Sequence, residues 1–156
     1  MDTGCGVTLY VAAVSERSRR HEIAHALCRE ALAELCGVAA EGIVLAAEPS
    51  GKPYAPDLDA QFSLSHSGGL AMCAVGRTPV GVDIERAREV SPRLRLRAQR
   101  AGYDGAQEFL YWWTAREANG KRLGVGFTWS DLPAPNRCVQ GTLEHEGERY
   151  YYSVCL

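Results

Sequence analysis

The residues of this chain best suited to chemistry are two carboxylates one residue apart, followed by a third acid and a lysine. Asp83 and Glu85 alternate with valine and isoleucine, and Glu117 and Lys121 lie four positions apart further along the chain. Alternation places the first two on one face of a strand, and four-residue spacing places the other two on one face of a helix. Mg²⁺ prefers carboxylate, water and phosphate oxygens. The pattern predicts a magnesium site that receives a pyrophosphate, although Asp83 and Glu85 taken alone also fit an exposed strand face.

A second pattern, His21-Glu22-Ile23-Ala24-His25, fits the zinc-peptidase motif H-E-x-x-H. On a helix the two histidines share a face, and the glutamate could act as a base. A catalytic zinc also needs a third protein ligand. The metzincin continuation fails because Cys28 stands at its glycine position, and Glu41 is a conceivable ligand that nothing places nearby. Zinc proteolysis is therefore an alternative to two histidines at the edge of an amphipathic helix.

Composition and charge favour one compact protein. The chain has 156 residues, 46% of them hydrophobic, and a net charge of -2. A chain of this length buries roughly two thirds of its unfolded surface, and so small a charge gives no reason to expect nucleic acid or an anionic membrane as a partner. The six cysteines form no C-x-x-C pair, and the start of the chain lacks the basic region of a signal peptide. We therefore expect a cytoplasmic protein with reduced thiols.

Apolar periodicity and turn residues predict mixed strands and helices. Predicted strands cover residues 7–11, 43–45, 61–65, 70–75, 80–85 and 150–155, the last in a hairpin with its bend at 146–147. A helix capped by Ser15 or Ser18 should run to about residue 35 and stop at Gly37, and a helix-rich stretch should extend to about residue 121. This order predicts an α+β fold of two α/β halves that meet near residue 76.

Four motifs in a fixed order carry a resemblance to a known family. They are Gly51-Lys52-Pro53-Tyr54, Phe62-Ser63-Leu64-Ser65-His66-Ser67-Gly68-Gly69, Gly81-Val82-Asp83-Ile84-Glu85 and Trp113-x-x-Arg116-Glu117-Ala118-x-x-Lys121. With them the chain resembles the 4'-phosphopantetheinyl transferases, in a shortened form, from about Arg20 to the last strand. About eighty residues precede the aspartate motif. This is similar to the surfactin-synthetase-activating branch, since the small trimeric holo-acyl-carrier-protein synthases have that motif near the N-terminus.

The resemblance implies a fold and a reaction. The fold would have two similar halves related by a pseudo-twofold axis. Residues 1–75 would grip the nucleotide of coenzyme A, and residues 76–156 would carry the magnesium site and the catalytic helix. The reaction would be Mg²⁺-dependent transfer of the 4'-phosphopantetheine arm of coenzyme A to a serine of an apo acyl or peptidyl carrier protein, with release of 3',5'-ADP. The resemblance also implies a monomer.

The resemblance further assigns roles to individual residues. Asp83, Glu85 and Glu117 would hold Mg²⁺. Glu117 would complete this metal site or take the serine proton, and Lys121 would stabilise charge on the departing 3',5'-ADP. The residues expected to contact coenzyme A are Arg20, Lys52, Ser65, His66, Arg116 and Lys121.

Two departures from the family pattern favour an alternative, a catalytically weak homologue that binds coenzyme A or a carrier. Arg116 stands where a lysine is usual, which keeps the charge but changes the shape. Residues 86–112 are fewer than in most relatives and lack their aromatic, acid-terminated patch. This stretch instead carries six arginines. A basic face could steer an acidic carrier protein, and a solvated helix face is an equally simple interpretation.

Overall fold

The structure, a computed structural model, describes residues 1, 4, 6–103, 105–125 and 132–156, without the side chains at positions 17 and 106. The strands in these ranges are β1 (Val7–Ala13), β2 (Ala46–Ala47), β3 (Pro53–Tyr54), β4 (Gln61–Ser67), β5 (Leu70–Gly76), β6 (Gly81–Arg86), β7 (Cys138–His145) and β8 (Glu148–Cys155). The α-helices there are α1 (Arg20–Cys36), α2 (Pro92–Arg100) and α3 (Ala106–Leu123). The chain is therefore an α+β protein, as the sequence predicted.

The first half of the chain forms an antiparallel sheet in the order β1-β5-β4, against which α1 packs. The pairing sets both Val7 of β1 and Gln61 of β4 opposite Gly76 of β5. Strand β5 is buried along its whole length, because β1 and β4 cover its edges and α1 covers a face. Leu32 of α1 and Phe62 of β4 belong to the hydrophobic cluster between helix and sheet.

The second half forms an antiparallel sheet in the order β6-β8-β7, against which α3 packs. Val82 and Ile84 of β6 are buried in a hydrophobic cluster with Tyr150 of β8, so this face of β6 lies in the core as predicted. Helix α3 approaches β6 very closely at Gly81. A Cβ atom at that position would lie 1.8 Å from the carbonyl oxygen of Ala118, so only glycine fits there.

The two sheets meet along β4 and β6 through serine hydroxyls. The bonds are Val82 N–H to Ser63 Oγ (3.0 Å), Ile84 N–H to Ser65 Oγ (3.2 Å) and Arg86 N–H to Ser67 Oγ (3.0 Å). We call this row of three contacts the serine seam. A backbone N–H buried without an acceptor costs about 1–3 kcal/mol. The seam therefore satisfies one edge of β6, while β8 pairs with the other.

The ends of α1 differ in how well the sequence predicted them. A 3-10 turn precedes the helix, and its bond from the Arg19 N–H to the carbonyl oxygen of Glu16 takes the place of a side-chain cap. Arg19 is the N-cap residue, so the prediction of Ser15 or Ser18 is wrong. The predicted stop at Gly37 is confirmed by its left-handed φ of 68°. None of the helices in the described ranges is long and apolar enough to cross a membrane.

Two further segments test the turn and strand predictions. The predicted strand at 43–45 is wrong, because pairing begins only at β2, which pairs with β3. Ile43 is buried and anchors this loop to the core, whereas Val44 is 58% exposed. The bend at 146–147 is confirmed. Glu146 and Gly147 have φ values of 50° and 76°, the positive values of a tight hairpin turn.

Candidate active site

A cavity of about 650 Å³ lies where α1, β4, β6 and α3 face one another. Its volume is within the range of small-molecule sites. The polar side chains that line it are His21, His25, Ser65, His66, Asp83, Glu85, Glu117 and Lys121. The cavity thus gathers the three acids and the lysine singled out in the sequence beside the serine and histidine of β4.

Asp83 is the most closely held of the three acids. Its side chain is 8% exposed, and its Oδ1 accepts a hydrogen bond from Ser65 Oγ at 2.8 Å and pairs with Lys121 Nζ at 2.7 Å. Its Oδ2 is buried without a hydrogen-bond partner, the one such side-chain atom among the described residues. A buried carboxylate oxygen without a donor is costly. This oxygen is therefore suited to a cation or a donor bound at Asp83.

The other two acids are destabilised as anions by their surroundings. Burial raises the pKa of Glu85, and the charge of Asp83 raises it further, while hydrogen bonds from Ser67 and Trp113 act in the opposite direction. Burial likewise raises the pKa of Glu117, with Asp83 adding to the effect and Lys121 opposing it. The negative charge of Asp83 therefore raises the pKa of both Glu85 and Glu117, and a cation bound among the three acids would relieve this repulsion.

The chemistry of these acids fits a divalent cation, although they do not converge on one point. No three His, Cys, Asp or Glu side chains in the described part of the chain are grouped closely enough to hold a metal ion. The fit rests instead on the unpartnered Oδ2 of Asp83 and on the raised pKa values of Glu85 and Glu117. Carboxylate oxygens are the ligands that Mg²⁺ prefers. The magnesium site therefore remains a prediction, and the carboxylates of Asp83, Glu85 and Glu117 are chemically suited to it.

Helix α3 turns different faces toward different cavities. Trp113, Glu117 and Lys121 are spaced by four residues and line the cavity of about 650 Å³ that contains the three acids, which we call the acid cavity. Arg116 lines a separate cavity together with Trp112, and its guanidinium carbon lies 5.9 Å from the centre of the Trp112 ring. Consecutive residues of a helix are separated by ~100° around its axis. Arg116 is therefore not brought together with the acids, and its contact with coenzyme A stays a prediction.

Lys52 borders a smaller cavity of about 210 Å³, which shares Lys121 with the first. Its Nζ donates a hydrogen bond to the carbonyl oxygen of Arg122 at 2.9 Å. Burial lowers the pKa of Lys52, the charge of Arg122 lowers it further, and Glu48 opposes the change. Lys52 therefore lies against the C-terminal end of α3. It lines the smaller cavity and is not among the residues that line the acid cavity.

His66 and Arg20 lie on the α1 side of the site. The ring of His66 meets that of His21 edge-on, with centroids 4.8 Å apart. Burial lowers the pKa of His66, and the positive charges of neighbours that include Arg20 and Lys121 lower it further. The imidazole is therefore neutral at physiological pH. Arg20 is exposed and does not line the cavity, yet it is close enough to act on His66 electrostatically.

The residues of the H-E-x-x-H pattern do not act together. His21 and His25 line the cavity, whereas Glu22 is 65% exposed and is not among the lining residues. The carboxylate of Glu22 accepts two hydrogen bonds from the Arg19 guanidinium, at 2.7 and 3.0 Å. Glu41, the conceivable third ligand, is exposed and lies outside the cavity lining. The arrangement matches two histidines at the edge of α1.

Comparison with known proteins places the chain in a family. It is 33% identical over 124 residues to a 4'-phosphopantetheinyl transferase of Bacillus subtilis, covering 72% of this chain and 55% of that protein. It is 31% identical over 128 residues to the 4'-phosphopantetheinyl transferase HetI of Nostoc sp., covering 71% and 54%. The chain belongs to the 4'-phosphopantetheinyl transferase superfamily. A match to Sfp of Bacillus subtilis strain 168, 33% identical over 89 residues and covering 50% of this chain and 40% of Sfp, supports the predicted branch.

This member of the 4'-phosphopantetheinyl transferase superfamily spans about half the length of the curated relatives it matches. No protein-family model matches the chain. The chemistry of its own site therefore carries the functional conclusion.

Three residues of this superfamily member contribute to the site without having been predicted to do so. Ser67 Oγ donates a hydrogen bond to Glu85 at 3.2 Å, and Ser63 belongs to the serine seam. Serines at every second position of a strand share a face, so the sequence contained this signal. Trp113 of α3 was given no role in the sequence analysis beyond its place in the fourth motif. It stacks on Phe109, with ring centroids 5.8 Å apart, and it also lines the cavity.

Proposed function

We propose that the chain transfers the 4'-phosphopantetheine arm of coenzyme A to a serine hydroxyl of an apo acyl or peptidyl carrier protein. The reaction depends on Mg²⁺ and releases 3',5'-ADP. The observation that carries this proposal is the cavity in which Asp83, Glu85, Glu117 and Lys121 lie beside Ser65 and His66. Acids next to an ammonium group and neutral donors suit a metal-bound pyrophosphate better than they suit an apolar ligand.

The proposed reaction is a displacement at phosphorus. The serine oxygen of the carrier forms a bond to the phosphorus of the phosphopantetheine arm, and the bond from that phosphorus to the oxygen of 3',5'-ADP breaks. Glu117 completes the Mg²⁺ site or accepts the serine proton as a general base. Lys121 stabilises the negative charge on the departing oxygen. Mg²⁺ held by Asp83, Glu85 and Glu117 would neutralise the charge of the pyrophosphate.

The nucleotide end of coenzyme A is proposed to lie toward α1 and the smaller cavity. His66 is a neutral imidazole that can donate a hydrogen bond to a phosphate oxygen, and Ser65 lies beside it. Lys52 and Arg20 border this region and offer positive charge to the phosphates. Arg116 lines the neighbouring cavity beside Trp112, and it is proposed to contact coenzyme A from there.

We also propose that the two halves, residues 1–75 and 76–156, are related by a pseudo-twofold axis. Both sheets are antiparallel, and both place the third strand of the half between the first and second. In each half a long helix, α1 or α3, connects the first of these strands to the second. This shared order supports two similar halves. Because one chain supplies both walls of the cavity, we propose that it acts as a monomer.

The carrier protein is proposed to approach α2. Arginines at 93, 95, 97 and 100 give this helix a basic character, and none of its residues is acidic. A basic surface would attract an acidic carrier and make transfer sensitive to salt. The location is proposed to be the cytoplasm, with neither nucleic acid nor membrane as a partner.

One rival function is binding without transfer. The position of Arg116 outside the acid cavity favours it, as does the ion pair between Lys121 and Asp83, because this lysine is engaged where a metal would bind.

A single assay separates transfer from binding without transfer. The protein is mixed with an apo carrier, coenzyme A and Mg²⁺, and the carrier is weighed by mass spectrometry.

A mass gain of one phosphopantetheine that is abolished by a chelator supports transfer. Binding of coenzyme A or carrier without a mass gain, under conditions in which a known transferase modifies the same carrier completely, contradicts it. Raising the salt concentration in the same assay tests the basic surface of α2. A rate unaffected by salt would remove that surface from the proposal.

The Glu22→Gln variant tests the zinc alternative. We expect it to transfer the arm at a rate within about twofold of the original chain, because Glu22 is an exposed partner of Arg19 and an exposed ion pair contributes little to stability. The rate of carrier modification and the thermal midpoint would both be measured. A large catalytic loss with an unchanged midpoint would instead assign chemistry to the histidine pattern.

A further inference from the structure

Cys138 and Cys155 face each other across the last hairpin. They stand directly opposite in the register of β7 and β8, and their Sγ atoms lie 2.8 Å apart. Opposite residues of antiparallel strands have Cα atoms about 4.5–5.5 Å apart, which is inside the range of about 4.4–6.8 Å found for disulfides. The backbone therefore allows a bond between the two sulfurs without moving either strand.

The two thiols differ in access and in acidity. Cys138 is half-buried and Cys155 is fully buried, and both line the cavity that also contains Arg116. The hydrogen bond between the thiols lowers the pKa of Cys138, although burial opposes this effect. The same bond and burial both raise the pKa of Cys155. A reagent that enters the cavity would therefore meet Cys138 as the more exposed and more acidic thiol.

We propose that Cys138 and Cys155 form a reversible disulfide, and that this pair is a modification site for low-molecular-weight disulfides such as oxidised glutathione. The thiolate of Cys138 attacks one sulfur of the oxidant, whose S–S bond breaks and releases one thiol. Cys155 then loses its proton and attacks the sulfur of Cys138, releasing the second thiol. The two protein thiols lose two electrons and two protons, which the oxidant gains. The proposal does not depend on the transferase function.

The other described cysteines provide the contrast. Cys28 and Cys73 are also hydrogen-bonded, but both are fully buried in the core of the first half, where their hydrogen bond and then burial raise the pKa of Cys73. Cys36 is half-buried on α1 and serves as a control of similar access. Cys5 lies outside the described residues.

Peptide mapping tests the pair in the original chain. Reduced protein is equilibrated with an excess of oxidised glutathione, at a concentration that fully oxidises dithiothreitol in a parallel control. The remaining protein thiols are then alkylated, and the protein is digested with trypsin. Trypsin cleaves after Arg149, between the two cysteines, so only a disulfide keeps the two peptides together. We expect a linked pair of peptides that dithiothreitol separates and whose mass is two hydrogen atoms below the sum of the two reduced peptides. The oxidised form should unfold about 5 °C higher, because the bond closes the hairpin in the unfolded chain.

Two variants sharpen the result. Cys155→Ser should stop at a glutathione adduct on Cys138, because the second thiol is missing, whereas Cys36→Ser should form the linked peptides as the original chain does. Full alkylation of both cysteines in the original chain, or a bond that joins Cys138 to a different cysteine, would overturn the proposal. Because the mapping of the original chain needs no substitution, the test stands even if a variant fails to fold.

Discussion

Asp83→Ala is expected to reduce transfer of the phosphopantetheine arm by at least about 100-fold while the protein stays folded. The substitution removes the carboxylate whose Oδ1 contacts Ser65 and Lys121 and whose Oδ2 is buried without a partner. Losing one preorganised electrostatic group in an active site typically costs about 10²–10³ in rate. The protein should stay folded, because the substitution also removes the buried, unpartnered Oδ2, and because Lys121, whose side chain is 29% exposed, can turn to solvent when its carboxylate partner is lost. Carrier mass after timed incubation gives the rate, and thermal unfolding gives the stability.

Two comparisons make this result specific. Asp59→Ala removes a carboxylate whose side chain is 97% exposed, so its transfer rate should match that of the original chain. Calorimetric titration with Mg²⁺ in the presence of coenzyme A should show weaker metal binding for Asp83→Ala and unchanged binding for Asp59→Ala. Near-normal transfer by Asp83→Ala at ordinary Mg²⁺ concentrations would refute the metal assignment.

Gly81→Ala is expected to destabilise the protein by about 3 kcal/mol or more, the upper range for overpacking. Its Cβ would lie 1.8 Å from the Ala118 carbonyl oxygen and 2.6 Å from the Arg122 backbone nitrogen. Both obstacles are backbone atoms of α3, so the helix must shift as a unit. Glu117 lies on that helix next to Ala118, and its position relative to β6 would change as well. Urea unfolding and the transfer rate would both report the displacement.

Gly42→Ala is the matched control. A Cβ at position 42 meets no atom within 4 Å, so the free energy of unfolding should change by no more than about 0.5 kcal/mol. If Gly81→Ala unfolded at the same urea concentration as Gly42→Ala, the close approach of α3 to β6 would be contradicted.

The parts of the fold with strong periodicity could be predicted from the sequence. Strand β6 was predicted because buried Val82 and Ile84 alternate with Asp83, and the end of α1 was predicted because Gly37 suits a left-handed cap. The start of α1 was missed because backbone bonding in a 3-10 turn replaced the serine cap. Apolar residues at 43–45 were mistaken for a strand because a short run does not distinguish a strand from an anchored loop.

The candidate site was predictable in its residues more than in its geometry. The third and fourth motifs contain the three acids, and the structure brings these acids to one cavity. The separation of Arg116 from Glu117 follows from helix geometry alone, since neighbours in sequence do not share a helix face. The contacts between β4 and β6 could not be predicted, because periodicity shows which face a side chain occupies and not which strand lies beside it.

The serine seam joins the stretch of chain that ends with β5 to the stretch that begins with β6. These two stretches therefore depend on each other as the fragments of a split enzyme do. Strand β4 supplies the hydroxyls at Ser65 and Ser67, and β6 supplies the carboxylates that these hydroxyls hold. A piece ending after β5 would retain the β1-β5-β4 sheet, the β2-β3 pair and α1, and a piece beginning at β6 would retain the β6-β8-β7 sheet, α2 and α3. Neither piece alone would contain a working centre. Catalysis by a mixture of the two would therefore report their reassembly.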